Sequence, residues 1–389
     1  MDLYCYAVTA PGLNGLATRE LAALGLLPPG WPAISTDLPQ PAADPGGVSL
    51  RGDLTALYRA NLHLRTVSRV LVRMGNFFYA KTFTELREKS ARLPWERFLR
   101  PGQPIELRVT CHKSKLYHSD AVAERIATAI ADRLGKPCQV RKPAERDQEQ
   151  PAQLILARLE NDQVLISIDS SGENLHKRGY RLAAAKAPLR ETLAAALLLL
   201  SGWDTISPLL DPFCGSGTIP IEAALLATQQ APGLHRRFAF MDWPEFDFAL
   251  WQSLLDAAKT AQKPAAPLLL ASDRDAGAIR MAHENAARAG VEQYIQFSTQ
   301  AVSAIQPPLQ PGWVLTNPPY GVRVSPSNDL RNLYAQLGHV LRATCPGWKV
   351  GILCNDLVLL GQTRLGLDTS QKLINGGLSV YLGQGQVKG

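Results

Sequence analysis

Leu209-Leu-Asp-Pro-Phe-Cys-Gly-Ser-Gly-Thr-Ile219 reads as a short buried strand, a glycine turn and the start of a helix. Gly215 and Gly217 let the backbone turn tightly and come close to a ligand. The helix that follows offers free N–H groups. Asp211, at the strand end, is placed to meet a cationic group. This is not a dinucleotide fingerprint, because Pro220 stands where the third glycine would be, and no Gly-Lys-Ser/Thr follows to make a P-loop. Two glycines alone read equally well as a plain tight turn. Asp211 before them and Thr218 after them argue for a binding site.

Outward from this turn the pattern repeats. A helix is expected at 189–200. Strand–helix pairs follow at 209–210 and 219–227, 268–271 and 276–289, and 313–316 and 330–343, with a further strand at 349–354. Such alternation argues for a parallel sheet covered by helices. Ligands of such sheets bind beyond the carboxyl ends of the strands. Two more motifs sit there. Ser272-Asp-Arg-Asp275 offers Asp273 to a pair of ribose hydroxyls, while Asp275 suits a helix N-cap. Asn317-Pro-Pro-Tyr320 is more informative. Its prolines fix an extended backbone and remove two donors, so carbonyls are left as acceptors. Asn317 adds a side-chain carbonyl and Tyr320 a flat face. An amine attached to an aromatic ring is a poor nucleophile because its lone pair is delocalised. Two acceptors on its N–H bonds localise that pair, and a ring stacked on the base holds it. A rigid Pro-Pro turn is the plainer alternative.

The 389 residues suggest two or three domains. With 46 % hydrophobic and 19 % charged residues the chain is globular in type. No apolar run spans a bilayer, and no signal peptide is legible. Six scattered cysteines lack zinc-ligand spacing, so no metal site is expected and reduced thiols in the cytoplasm are the simple reading. The net charge of +7 is unevenly spread. Residues 51–150 hold 20 Lys+Arg against 11 Asp+Glu, whereas 201–389 hold 14 of each. This asymmetry suggests a polyanion-binding module ahead of a neutral one, although a solvated basic surface is the bland reading. The N-terminal part reads as α+β. Strands are expected at 3–9, 105–110, 154–160 and 164–169, helices at 17–24 and 119–134, and helical spacing over 54–74. Residues 28–47 read as loose and 141–151 as a loop.

Asp211-Pro-Phe-Cys-Gly-Ser-Gly-Thr218 followed by Asn317-Pro-Pro-Tyr-Gly321 resembles the class I S-adenosylmethionine-dependent amino-methyltransferases. The connector Ser171-Gly-Glu-Asn-Leu-His-Lys-Arg-Gly-Tyr-Arg181 and Ala187-Pro-Leu-Arg-Glu-Thr-Leu-Ala194 are more specific. With Pro11-Gly-Leu-Asn-Gly-Leu-Ala17 and Asn61-Leu-His-Leu-Arg65, they resemble the 23S rRNA guanine-N2-methyltransferases that carry an N-terminal THUMP domain. The resemblance implies an α/β Rossmann-like class I methyltransferase domain at 171–389. Ahead of it would lie an α+β RNA-binding module, with a ferredoxin-like segment at 1–65 and a THUMP domain at 66–170. It implies S-adenosyl-L-methionine as cofactor, held by Pro188, Thr192, Asp211, Phe213, Cys214, Gly215, Ser216, Gly217, Thr218, Asp273, Arg274, Gln300 and Asn317. The target amine would be held by Asn317, Pro318, Pro319 and Tyr320. The partner it implies is RNA, as 23S rRNA or a ribosomal precursor, with no membrane. The family often has an acid near the adenine, but 298–303 contains none and Gln300 stands in. Its longest members fuse a second methyltransferase after this one, and none is expected here.

Rival readings share parts of this pattern. DNA adenine-N6-methylation and protein glutamine methylation use the same Asn-Pro-Pro-Tyr motif, but the basic module favours RNA. Carbon-5 cytosine methylation needs a nucleophilic cysteine. Cys138 lies outside the catalytic half and Cys214 lies in the cofactor turn. A catalytically inactive RNA-binding protein is disfavoured by the intact motifs.

Overall fold

The computed structural model describes residues 2–27, 46–141, 152–181, 189–320 and 330–388. Pro188, most of the loose stretch 28–47 and most of the loop 141–151 lie outside the described residues. The chain divides into two compact units. One comprises Met1–Thr9, Ala17–Leu175 and Arg237–Leu255, the other Ala10–Leu16, His176–Arg236 and Asp256–Gly389.

Up to residue 175 the elements are β1 (Leu3–Thr9), α1 (Asn14–Ala23), β2 (Gly47–Gly52), α2 (Leu54–His63), β3 (Val67–Arg73), β4 (Phe78–Tyr79), α3 (Phe83–Ala91), β5 (Ile105–His112), α4 (Ser119–Leu134), β6 (Gln153–Glu160) and β7 (Gln163–Asp169). They build a sheet of order β2-β1-β3-β7-β6-β5, with β4 on β7. The β5–β6 pair is parallel. The helical spacing read over 54–74 is broken in the structure. Asp53 caps α2 through Ala56 N, the helix ends at His63, and β3 begins at Val67. The strand was hidden because β3 is central, between β1 and β7. Val67, Val70 and Val72 are all buried, and a strand covered on both faces lacks two-residue alternation.

The segment Arg237–Leu255 brings aromatics to this first unit. Tyr58 stacks on Phe240 at 4.4 Å, and Phe98 meets Trp243 edge-on at 4.9 Å. Trp243 Nε1 donates to Gln153 Oε1 at 2.9 Å. The indole is 2 % exposed, so its polar atom is satisfied where it is buried.

From residue 189 the elements are α5 (Glu191–Leu200), β8 (Leu209–Asp211), α6 (Thr218–Ala227), α7 (Phe248–Thr260), β9 (Leu269–Asp273), α8 (Ala276–Arg288), β10 (Ile295–Thr299), β11 (Trp313–Thr316), α9 (Arg331–Thr344), β12 (Lys349–Cys354), α10 (Leu357–Gln362), β13 (Asp368–Asn375) and β14 (Leu378–Gln386). The second sheet runs β10-β9-β8-β11-β12-β14-β13. Its first five strands are parallel and β14 and β13 close it antiparallel. Chain order runs outward from β8 through β9 to β10, then returns to β11 on the other side. The switch point therefore lies between β8 and β11, where ligand crevices open in such sheets.

Candidate active site

Both central motifs leave the sheet at that switch point. β8 and β11 pair in parallel, Trp313 with Leu209 and Val314 with Leu210. Asp211 and Thr316 thus end neighbouring strands, and Thr316 Oγ1 donates to Asp211 Oδ1 at 2.6 Å. The Phe213 amide donates to the same oxygen at 3.2 Å. Asp211 is wholly buried, and its Oδ2 has no hydrogen-bond partner among the described residues. Burial raises its carboxyl to about 7, opposed by the Thr316 and Phe213 donors and reinforced by the charge of Asp273. A buried carboxylate with one unmet oxygen is suited to a cationic ligand.

The glycine turn is built for two different contacts. Gly217 caps α6 with φ of 84°. A Cβ there would come within 3.0 Å of the Ala282 Cβ on α8, so this glycine serves packing. Gly215, with φ of 52°, has nothing within 4 Å of where a Cβ would be, so its face is open. Pro220 falls in the first turn of α6, where its missing N–H is no loss. Asn285 Nδ2 donates to the Ser216 carbonyl at 3.0 Å and secures the turn from α8. Cys214 is buried and its thiol is pushed well above the ordinary range by burial and by Asp211 and Asp273, which makes it inert. Phe213 packs against the core of this unit.

Asp273 ends β9 and links the two acidic motifs. Its Oδ2 accepts from the Gly215 amide at 3.0 Å and its Oδ1 from the Asp275 amide at 3.0 Å. Each oxygen retains a lone pair for a ligand. Asp275 caps α8 through Gly277 N. Gln300 lies beside Asp273, its amide donating to the Asp273 carbonyl at 3.0 Å. Arg274 is exposed, and Thr192 is buried on α5. Pro188 lies outside the described residues.

Asn317 follows β11, and its Oδ1 is shielded from solvent with no partner among the described residues. The two proline carbonyls differ. Tyr334 Oη donates to the Pro319 carbonyl at 3.3 Å, whereas no described residue donates to that of Pro318. Tyr320 is 2 % exposed, and its hydroxyl accepts from Asn375 Nδ2 at 3.1 Å. In the described structure its ring is thus a buried anchor of the loop and not an open face.

The sequence reading missed several supports. Thr316 holds Asp211, Tyr334 holds Pro319, and Asn375, at the end of β13, holds Tyr320. Asn355, just past β12, carries a second side-chain oxygen that is buried without a partner among the described residues. The connector carries no signal of its own in the sequence beyond its resemblance, yet it braces α6. Tyr180 Oη donates to Glu222 at 3.1 Å and Arg181 Nη2 to Thr218 Oγ1 at 2.6 Å, while Arg288 holds the Tyr180 carbonyl at 2.7 Å.

Residues 178–379 match the model of the RMKL-like methyltransferase domain, 4–71 that of the RlmL ferredoxin-like domain and 80–169 that of the THUMP domain. Slr0064 of Synechocystis, named as an RNA methyltransferase, is 36 % identical over 97 % of this chain and 95 % of its own length. The ribosomal RNA large subunit methyltransferase K/L of Syntrophotalea carbinolica is 34 % identical over 97 % of this chain. The chain spans only 53 % of that relative's length. Among solved structures, SMU.472, named as a methyltransferase and complexed with SAH, is 29 % identical with a TM-score of 0.83, covering 98 % of this chain and 97 % of its own. A Listeria monocytogenes protein named as an N6-adenine-specific DNA methylase is 33 % identical, also with a TM-score of 0.83, covering 98 % and 96 %. The chain belongs to the RMKL-like family of S-adenosylmethionine-dependent methyltransferases, with the family's ferredoxin-like and THUMP domains preceding a class I catalytic domain.

Proposed function

We propose that this protein methylates ribosomal RNA of the large subunit, on the exocyclic N2 of a guanine. The observation that carries the reading is that two buried oxygens without a partner among the described residues, a carboxylate oxygen of Asp211 and the carbonyl oxygen of Asn317, stand at the ends of the neighbouring strands β8 and β11. The first suits the cationic end of S-adenosylmethionine, the second an N–H of the target amine. The open face at Gly215 leaves room for the cofactor between Asp211 and Asp273. Those residues fit it.

S-adenosylmethionine, when bound, supplies an electrophilic methyl on a positively charged sulfur. Phe213, Cys214, Gly215, Ser216, Gly217, Thr218 and Thr192 would surround its methionine end. Asp273 and Arg274 would lie at the ribose, and Gln300 at the adenine. Asn317 Oδ1 and the Pro318 carbonyl accept the two N–H bonds of the base amine, which localises its lone pair and aims it in line. Positioning at about 3 Å supplies most of the rate, so no strong base is needed. The proton leaves to water. Pro319 and Tyr320 hold this geometry, because Tyr334 and Asn375 fix where the loop lies. The proposed organisation assigns 1–65 to the ferredoxin-like segment, 66–170 to the RNA-gripping THUMP domain and 171–389 to catalysis, in a cytoplasmic protein. The name of the Listeria relative favours a second reading, DNA adenine-N6-methylation, against which the basic N-terminal module weighs.

The test supplies labelled S-adenosylmethionine with unmodified 23S rRNA, total DNA and protein extract side by side, followed by nucleoside analysis. N2-methylguanosine in the RNA is the expected product. Label in N6-methyladenine of DNA, or only in protein, overturns the assignment.

A further inference from the structure

The loop between β5 and α4 belongs to no part of the catalytic site, yet it is built and not merely exposed. Its sequence is His112-Lys-Ser-Lys-Leu-Tyr-His118, with two lysines and no acid. Ser114 Oγ donates to the His112 carbonyl at 3.0 Å and accepts from the Asp162 amide at 3.1 Å. Asp162 Oδ1 in turn accepts from the Lys115 amide at 2.7 Å, so the loop is fastened to the β6–β7 turn. Lys113 sits in the left-handed region with φ of 47°, a conformation a lysine adopts only when the surroundings hold it there. Leu116 is buried and anchors the loop from below.

These constraints leave Tyr117 68 % exposed, its ring 4.1 Å from that of His118. Lys113, Lys115 and His118 are exposed around it. A single exposed aromatic needs no explanation. An aromatic pair held outward by a fixed backbone and flanked by lysines is different. Flat faces stack on bases, and ammonium groups meet phosphates. The loop's neighbours continue the surface. Arg108 and Arg158 lie on the same face of the β5–β6 pair, though each already has a glutamate partner, and His112 faces Glu160 at 3.7 Å. Asp162 is spent on the loop backbone, and Asp120 is the nearest acid along the chain.

We propose that this loop is an RNA contact in which Tyr117, backed by His118, stacks on an unpaired base while Lys113 and Lys115 take the adjoining phosphates. Its partner is single-stranded or looped RNA, because a base inside a duplex offers no free face. The proposal rests on the reading of RNA as substrate and adds where, and in what form, the RNA is gripped.

The full chain is titrated by fluorescence anisotropy against a labelled 20-nucleotide single-stranded RNA and the same strand annealed to its complement. Wild type binds the single strand more tightly. Tyr117→Ala weakens that binding about 5- to 150-fold, and Tyr117→Phe, which keeps the ring, restores it. Lys113→Gln with Lys115→Gln flattens the log–log salt dependence by about 1.4. Binding of S-adenosylmethionine is unchanged in all variants, which checks the catalytic unit, and the rescue by Tyr117→Phe checks the unit that holds the loop. Tyr117→Ala binding the single strand as wild type does, or losing duplex binding equally, overturns the loop's role and leaves the RNA reading standing. Wild type binding neither RNA overturns both.

Discussion

Replacing Asp211 with Asn removes a charge while keeping the shape, and the structure sets the size of the effect. The carboxyl lies at about 7 in the folded protein against an ordinary 3.8. Between those values the folded protein holds a proton that the unfolded chain has lost, so stability falls as pH rises through that window and the loss is complete above it. At 1.36 kcal/mol per unit, the ionised carboxylate costs the cofactor-free protein roughly 4 kcal/mol at pH 8. Asparagine keeps a carbonyl for Thr316 and Phe213 to donate to. Its amide replaces Oδ2, which has no partner among the described residues. That orphaned donor costs about 1–3 kcal/mol, the same at every pH. The advantage of Asp211→Asn therefore grows by roughly 2–3 kcal/mol from pH 5 to pH 7 and then levels off. In thermal unfolding without cofactor this is a relative gain of about 5–10 °C across that interval. Affinity for S-adenosylmethionine moves oppositely, falling about 10- to 100-fold at pH 8 with loss of the charge-assisted contact. Melting curves of variant and wild type that stay parallel from pH 5 to pH 8 would refute the buried charge. Undiminished cofactor affinity would remove Asp211 from the cationic end.

Four further outcomes follow from particular contacts. Asn317→Ala, assayed by single-turnover methylation and cofactor calorimetry, loses turnover but keeps cofactor affinity; a large loss of affinity would contradict its role toward the amine. Gly217→Ala forces a residue with a side chain to φ of 84° and against Ala282, so it lowers the urea midpoint by an equivalent of about 1–3 kcal/mol. Gly215→Ala meets open space but holds a side chain at φ of 52°, so it costs about 1–2 kcal/mol of stability, and its methyl intrudes on the cofactor and weakens binding about tenfold. Trp243→Ala, although distant in sequence from the first sheet, costs about 3–5 kcal/mol there, because it empties a core position and leaves Gln153 Oε1 without its donor. Hydrogen exchange should show the loss at β6, and protection unchanged at β6 would refute it.

What was legible in the sequence was whatever depends on neighbours along the chain. Asp211 ends a strand of Leu209 and Leu210, glycines follow, and Asp275 stands before Ala276; each signal is local, and each element lies where the local pattern put it. β3 is not legible as a strand because burial on both faces erases its period. The hairpin of β13 and β14 went unread although Asn375-Gly-Gly-Leu378 carries a strong turn signal, with φ of 59° and 89° at its two glycines. The supports of the site were beyond such reading for a different reason. Thr316 reaches Asp211 across 105 residues and Asn375 reaches Tyr320 across 55, so each is an ordinary residue until the sheet order is known. The same holds for Arg237–Leu255. Its aromatics follow a catalytic helix in sequence, yet contacts group them with the first unit, where Trp243 meets Phe98 and Gln153. A cut drawn along the chain cannot represent that grouping, because the segment leaves one hydrophobic core for another and returns. The consequence is mechanical: removing residues 237–255 to trim the catalytic domain would open the aromatic core of the other unit, even though no residue of its sheet had been touched.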